Sequence, residues 1–317
     1  MNLSLLAKSV TRVVARGQNG VKLPILIYHR VHPEGYPLPT DMMAKQFEWQ
    51  MSLLRAYFAP LSLVDALEQL QQGDLKPGSV CITFDDGYED NLLVALPILE
   101  RYQIPATFFI TTNYIEGGAM WNDYIWESMR DTQHQEVELI ELGLGHYSLA
   151  SEGERLQAGK QIIHAIKYLV PTERLDFASK VVNKLGVHIP KSLMLNADQV
   201  KMLHRAGMGI GAHTQSHPIL HTLSDNDAKV EIRESKTILE NLIQAPVDYF
   251  AYPNGKRDQD YSQRDVDLVK NEGFKAALST EWGVSDRNSD LWQLNRFTPW
   301  DDTVFKYLAR MWINYYR

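Results

Sequence analysis

Residues 79–88 read Ser79-Val80-Cys81-Ile82-Thr83-Phe84-Asp85-Asp86-Gly87-Tyr88, an apolar run that ends in two adjacent carboxylates and a glycine. An unbroken apolar run of this length, bounded by a turn residue, is what a strand buried on both faces looks like. Alternation sends successive strand side chains to opposite sides, but glycine lets the chain turn at the strand end. Both carboxylates can then face one pocket. Asp-Asp-Gly alone is also what an ordinary turn looks like. Cys81, the one cysteine of the chain, falls inside the run and reads as a buried, inert thiol. A lone cysteine cannot form an internal disulfide, so no oxidising compartment is implied.

Working outward, five more runs have strand character: 23–29, 106–111, 208–213, 248–252 and 276–279. Helical patterns separate them. Phe47, Met51, Leu54 and Phe58 form one stripe, and 90–102 reads as a helix with a bend at Pro97. Asn196 reads as the N-cap of 197–206 with Gly207 as its stop, and Ser224 with Asp227 opens another helix. Alternating β and α segments predict a mostly parallel sheet or barrel. Residues 117–189 are polar and mostly helical and break the rhythm. They read as a helical insertion within a single domain spanning 1–317, whose core runs from about 22 to 300. Laid over the strand ends, the insertion would shape a cleft.

The 317 residues carry a net charge of −7, which attracts neither nucleic acid nor anionic lipid. No segment approaches the ~20 apolar residues of a membrane-spanning helix. The N-terminus is a poor signal peptide, because Lys8, Arg12 and Arg16 interrupt it. Those bases, with Leu3, Leu6, Val10 and Val13 on another face, make an amphipathic helix. It could lie on a membrane surface or dock on its own domain. The C-terminal stretch 305–317 mixes aromatic and basic residues in the same way. A cytoplasmic protein is expected, with peripheral contact at the inner membrane face through the basic helix.

The second chemical signal is His213-Thr214-Gln215-Ser216-His217-Pro218. Two histidines four apart after a strand can chelate one ion. His221 continues the spacing, but Pro218 breaks the face a third ligand would use. Two histidines and one carboxylate form a common set for a divalent ion with positions left open. A second carboxylate kept off the metal can take a proton from water.

With both motifs in hand, the sequence resembles the polysaccharide deacetylases, carbohydrate esterase family 4. Thr83-Phe84-Asp85-Asp86-Gly87 and His213-Thr214-Gln215-Ser216-His217-Pro218 match two family motifs in order, and Phe250-Ala251-Tyr252-Pro253-Asn254-Gly255 stands where the third falls. The resemblance implies a distorted (β/α)7-type barrel and a metal-dependent hydrolase that removes N-acetyl groups from an amino-sugar polysaccharide or glycoconjugate. It implies Asp85 as general base and Asp86, His213 and His217 as ligands of zinc, with cobalt or nickel as alternatives. Tyr252 and the backbone N–H near Asn254 fall at the substrate and oxyanion position. Two departures stand out. The motif arginine is Ala251 here, and Arg296 is a candidate to supply that charge. The C-terminal acid histidine is missing, since no histidine follows His221. The strand ending in His29 resembles the start of a circularly permuted branch that includes poly-N-acetylglucosamine deacetylases, which implies His29 as the acid. His32 reads as a loop residue. Trp121, Trp126, Trp282, Trp292 and Trp300 are candidate sugar-stacking faces or core. A deformylase or deacylase of a lipid-linked amino sugar would use the same residues. An inactive carbohydrate-binding relative is the reading from another class.

Overall fold

A computed structural model of the chain describes residues 3–18 and 20–316, with side chains from Ala7 onward. Six parallel strands form its centre: β1 (Ile25–Tyr28), β2 (Ser79–Phe84), β3 (Thr107–Ile110), β4 (Gly209–Ala212), β5 (Tyr249–Ala251) and β6 (Ala276–Leu278). They neighbour one another in sequence order, each within one of the six expected runs. Residues Ala59–Pro60 pair beside the start of β2.

The sheet curls, and residues 294–297 join its two edges. Leu294 bridges Leu278 of β6 and Phe297 bridges Leu26 of β1, both in parallel. The Leu294 N–H donates to Ala277 O at 2.9 Å and the Phe297 N–H to Ile25 O at 3.2 Å. This closing segment makes a seventh stave, so the fold is the expected distorted α/β barrel. No strand signal marks this segment, because Leu294-Asn295-Arg296-Phe297 is too short and too polar for one.

Alternation along the strands sorts the core. Leu26, Ile82, Phe108, Ile210 and Phe250 face outward beneath the helices, while Ile25, Cys81, Phe109, Ala251 and Leu278 form a separate cluster. Gly211 is required here. A Cβ on it would come 2.4 Å from the Phe109 ring. Burial raises the Cys81 thiol pKa, as an inert thiol requires.

The helix signals translate into local structure. Asn196 caps the helix Ala197–Arg205 through a reciprocal pair with Gln199, and Ser224 accepts from the Asp227 N–H to open Asp225–Ile243. Around Pro97 a π-helical turn (Asn91–Ala95) leads into an α-helix (Leu96–Tyr102), which absorbs the missing proline N–H. Within 117–189 three helices, Trp121–Asp131, Glu152–Ile166 and Pro171–Leu185, and a short antiparallel ribbon share an apolar cluster that Leu38 also joins.

The helix Leu3–Val14 contacts the C-terminal helix Val304–Asn314, where Trp312 Nε1 donates to Thr11 Oγ1. Lys8, Arg12 and Arg16 are exposed, as is Val13. The side chains of Leu3 and Leu6, and Arg317, lie outside the described residues. Among the described residues no helix is long and apolar enough to cross a membrane. His32 is not the expected loop residue. It is fully buried in the short strand Val31–His32, stacked 4.3 Å from Tyr36.

Candidate active site

β2 stops at Phe84, and the turn that follows is built from left-handed backbone. Asp86 has φ 77° and Gly87 φ 87°. Asp85 is pinned to the neighbouring strand by its N–H, which donates to Tyr28 O at 2.9 Å. The β4 exit is strained in the same way, with Thr214 at φ 64° and His217 at φ 56°. A β-branched residue in that region is an outlier, and such strain gathers where side chains must be aimed. Thr214 Oγ1 accepts from the His217 N–H at 3.1 Å, which sets the return of the loop. Glu231 completes it, accepting from the N–H groups of Gln215 and Ser216 at 2.8 and 2.9 Å and from the Ser216 hydroxyl at 2.6 Å. Nothing in the sequence pointed to Glu231. It lies on a helix whose register to this loop is set by tertiary packing.

These turns bring Asp86, His213 and His217 together. Their ligand atoms lie within 4.8 Å of one another. Asp86 Oδ1 stands 3.4 Å from His213 Nε2 and 3.3 Å from His217 Nε2. His213 Nδ1 lies 2.7 Å from the Ala251 carbonyl. A carbonyl only accepts, so Nδ1 carries the proton and Nε2 presents its lone pair to the centre. Asp86 Oδ1 is buried and receives no hydrogen bond. Two imidazole nitrogens and an anionic oxygen without a donor fit a divalent cation. His221 is exposed and stands apart from this set.

Asp85 lies beside the triad, and Arg296 holds it. Nη1 and Nη2 of Arg296 donate to Oδ1 and Oδ2 of Asp85, each at 2.7 Å. Both side chains are buried. The guanidinium also donates to Thr83 Oγ1 at 3.2 Å and through Nε to Ser279 O at 2.9 Å. Burial opposes ionisation of Asp85, but Arg296 and then His213 outweigh it and hold the carboxyl below its usual range. Burial likewise opposes ionisation of Asp86, and His213, His217 and His29 reverse it. Burial pulls His217 down to about 3 against the attraction of Asp86. His213 is raised, because Asp85 and Asp86 outweigh its burial.

Asp85, Asp86, His213 and His217 floor a cleft of about 490 Å³ that His29 and Asn254 also line. Asn254 turns there at φ 59°. Residues of 117–189 form another wall, with Trp121, Asn122, Trp126, Lys160, Ile163, His164 and Lys167. The sequence offered no way to choose these from the rest of the segment, apart from the two tryptophans. Trp300 lies along a neighbouring groove that also reaches His29, whereas Trp282 and Trp292 stand away from the cleft. Tyr252, expected at the oxyanion position, is not there. Its ring is buried and stacked 3.9 Å from Tyr261, its hydroxyl donates to Trp292 O, and its N–H donates to Leu278 O. Tyr252 directly follows β5 and its N–H still pairs with Leu278, so that donor is spent, and the alternation carried on from Phe250 turns the ring outward.

A parallel barrel with a carboxylate and two imidazoles converging at the strand ends gives a candidate divalent-metal site of the kind hydrolases carry. The chain belongs to the polysaccharide deacetylase family, whose model matches residues 72–172 and 178–277. It is a hydrolase of that family. The protein YxkH of Bacillus subtilis (strain 168) is 24% identical over 278 residues, 87% of this chain and 70% of its own. The poly-beta-1,6-N-acetyl-D-glucosamine N-deacetylase of Staphylococcus aureus (strain N315) is 29% identical over 205 residues, 62% of this chain and 69% of its own. The fold is shared with the deacetylase PplD of Streptococcus pyogenes, with TM-score 0.60, 21% identity, and coverage of 88% of this chain and 92% of that one. It is shared also with IcaB from Ammonifex degensii, with TM-score 0.61, 17% identity, and coverage of 93% and 98%.

Proposed function

We propose that this protein hydrolyses the N-acetyl group of an amino sugar within a glycan or glycoconjugate. The observation that carries the reading is a second buried carboxylate, Asp85, held by Arg296 beside the Asp86–His213–His217 set. Binding alone has no need of it. Asp86, His213 and His217 would hold the divalent ion, with zinc favoured by the nitrogen-rich donor set and cobalt or nickel as alternatives. When bound, such an ion supplies Lewis acidity toward the acyl oxygen and acidifies water.

Asp85 takes the proton of the attacking water. Arg296 occupies one lone pair on each Asp85 oxygen and leaves another free to accept. The backbone N–H of Asn254 donates to the oxygen that becomes negative as water adds to the acyl carbon. His29, at the cleft rim, donates a proton to the nitrogen as the C–N bond breaks. Acetate leaves, and the amine stays on the sugar. His29 then does from the first strand what a histidine near the C-terminus does in the unpermuted arrangement. First and last staves are neighbours in a closed barrel, which supports placing this chain in the permuted branch.

The test pairs metal analysis with acetate release from N-acetylglucosamine oligomers. Asp85→Asn is expected to keep the metal and lose turnover, and His213→Ala to lose both. Full turnover in Asp85→Asn would reject the base assignment. Formate released from an N-formyl sugar, without acetate from the N-acetyl one, would make it a deformylase.

A further inference from the structure

The cleft wall carries basic side chains and no carboxylate. The helix Glu152–Ile166 and its following residue turn Lys160, His164 and Lys167 into the cleft. Spacings of four and three place them along one helix edge. The only carboxylates among the cleft-lining residues are Asp85 and Asp86, both committed to partners on the floor. Lys167 is steadied by the buried Asp260, at 3.6 Å. Lys160 is exposed and makes no ion pair among the described residues. Gly159 seats this helix on an indole, since a Cβ there would come 2.5 Å from Trp126 Cζ3. The edge is therefore fixed against the cleft. The neighbouring groove toward Trp300 has no lysine. It carries Asp41, and its Arg30 is already paired with Asp90 at 2.8 Å. In a chain of net charge −7, a basic edge placed on one side of the cleft calls for a ligand with a localised negative charge. A neutral N-acetylated polymer has none.

We infer that the glycan acted on here is acidic, bearing a phosphate or carboxylate next to the hydrolysed N-acetyl sugar, and that Lys160 is the specificity-determining residue that receives this anion. The inference rests on the hydrolase reading for the word "acted", but the binding it asserts can be measured without turnover. Three probes are compared on the metal-loaded protein: the neutral dimer of N-acetylglucosamine, N-acetylglucosamine 1-phosphate, and the disaccharide of N-acetylglucosamine with glucuronic acid. An acidic probe is expected to show roughly fivefold higher kcat/KM than the neutral dimer at low salt, a few screened charge contacts being worth about that. The preference should shrink with added sodium chloride and disappear in Lys160→Glu. Which acidic probe responds tells phosphate from carboxylate. Dissociation constants on Asp85→Asn give the same comparison without chemistry. Turnover absent from every probe while the binding preference persists would sink the hydrolase reading and leave this one standing. Equal affinity for all three probes, or a preference that survives Lys160→Glu unchanged, overturns it.

Discussion

Replacing Arg296 by methionine tests the most consequential contact in the site. Arg296 and Asp85 are joined by two 2.7 Å bonds and are both essentially without solvent. Removing the cation leaves Asp85 buried and unpaired, and leaves Thr83 Oγ1 and Ser279 O without a donor. Breaking one side of a buried pair costs about 3–5 kcal/mol, far more than the pair's net worth against an apolar substitute. The double variant Arg296→Met/Asp85→Asn removes both charges and should recover much of that loss, giving a coupling of about 3 kcal/mol. The measurement is a double-mutant cycle of urea unfolding on metal-free protein across pH. The pH sign is fixed by direction. The folded Asp85 pKa is depressed by Arg296 and His213, so its contribution is present above the unfolded value of about 4 and lost as pH falls through the folded value. The gap between wild type and Arg296→Met should therefore be widest near neutral pH and narrow in acid. Single-variant losses that add within about 0.5 kcal/mol, or a gap that does not vary with pH, would refute the account.

Glu231→Gln removes the carboxylate that accepts from two N–H groups and the Ser216 hydroxyl, so it should loosen His217 and weaken metal affinity by roughly 10–100-fold, read by chelator competition. An unchanged affinity would mean that the loop holds itself. Burial pushes the Asp123 carboxyl up to about 7 against Arg30, the Met120 N–H and the Tyr88 hydroxyl. Its raised value makes the wild type lose stability as pH climbs from about 4 to about 7, on the order of 4 kcal/mol, and Asp123→Asn should flatten that slope. Parallel stability profiles for the two proteins would contradict this. Gly159→Val drives a side chain into Trp126, costing about 1–3 kcal/mol by overpacking and moving the indole from the cleft wall. Thermal unfolding and tryptophan fluorescence report both effects, and no change in either would show that the helix is not seated as described.

Much of the site was legible from short stretches. The run 79–88 contains both the buried strand and the turn that aims Asp85 and Asp86, because a strand end and the residues on it are contiguous. His213 and His217 belong to one loop for the same reason. That local chemistry determined the alternating α/β plan, the candidate metal-ligand set and the family. Three matters were decided only in the folded chain. Arg296 reaches Asp85 across 211 residues because the segment 294–297 closes the barrel, and its four residues carry no strand pattern of their own. Tyr252 shares a motif with Asn254 yet faces away from the cleft, because its ring keeps to the outer face of the preceding strand while the chain turns at Asn254, φ 59°, to reach the cleft. The basic wall exists because residues 117–189 pack over the strand ends, and which helix edge meets the cleft is set by contacts such as Gly159 on Trp126. Local sequence fixes what a few neighbouring residues can do. Which distant side chains they meet depends on packing and closure, summed over the whole barrel.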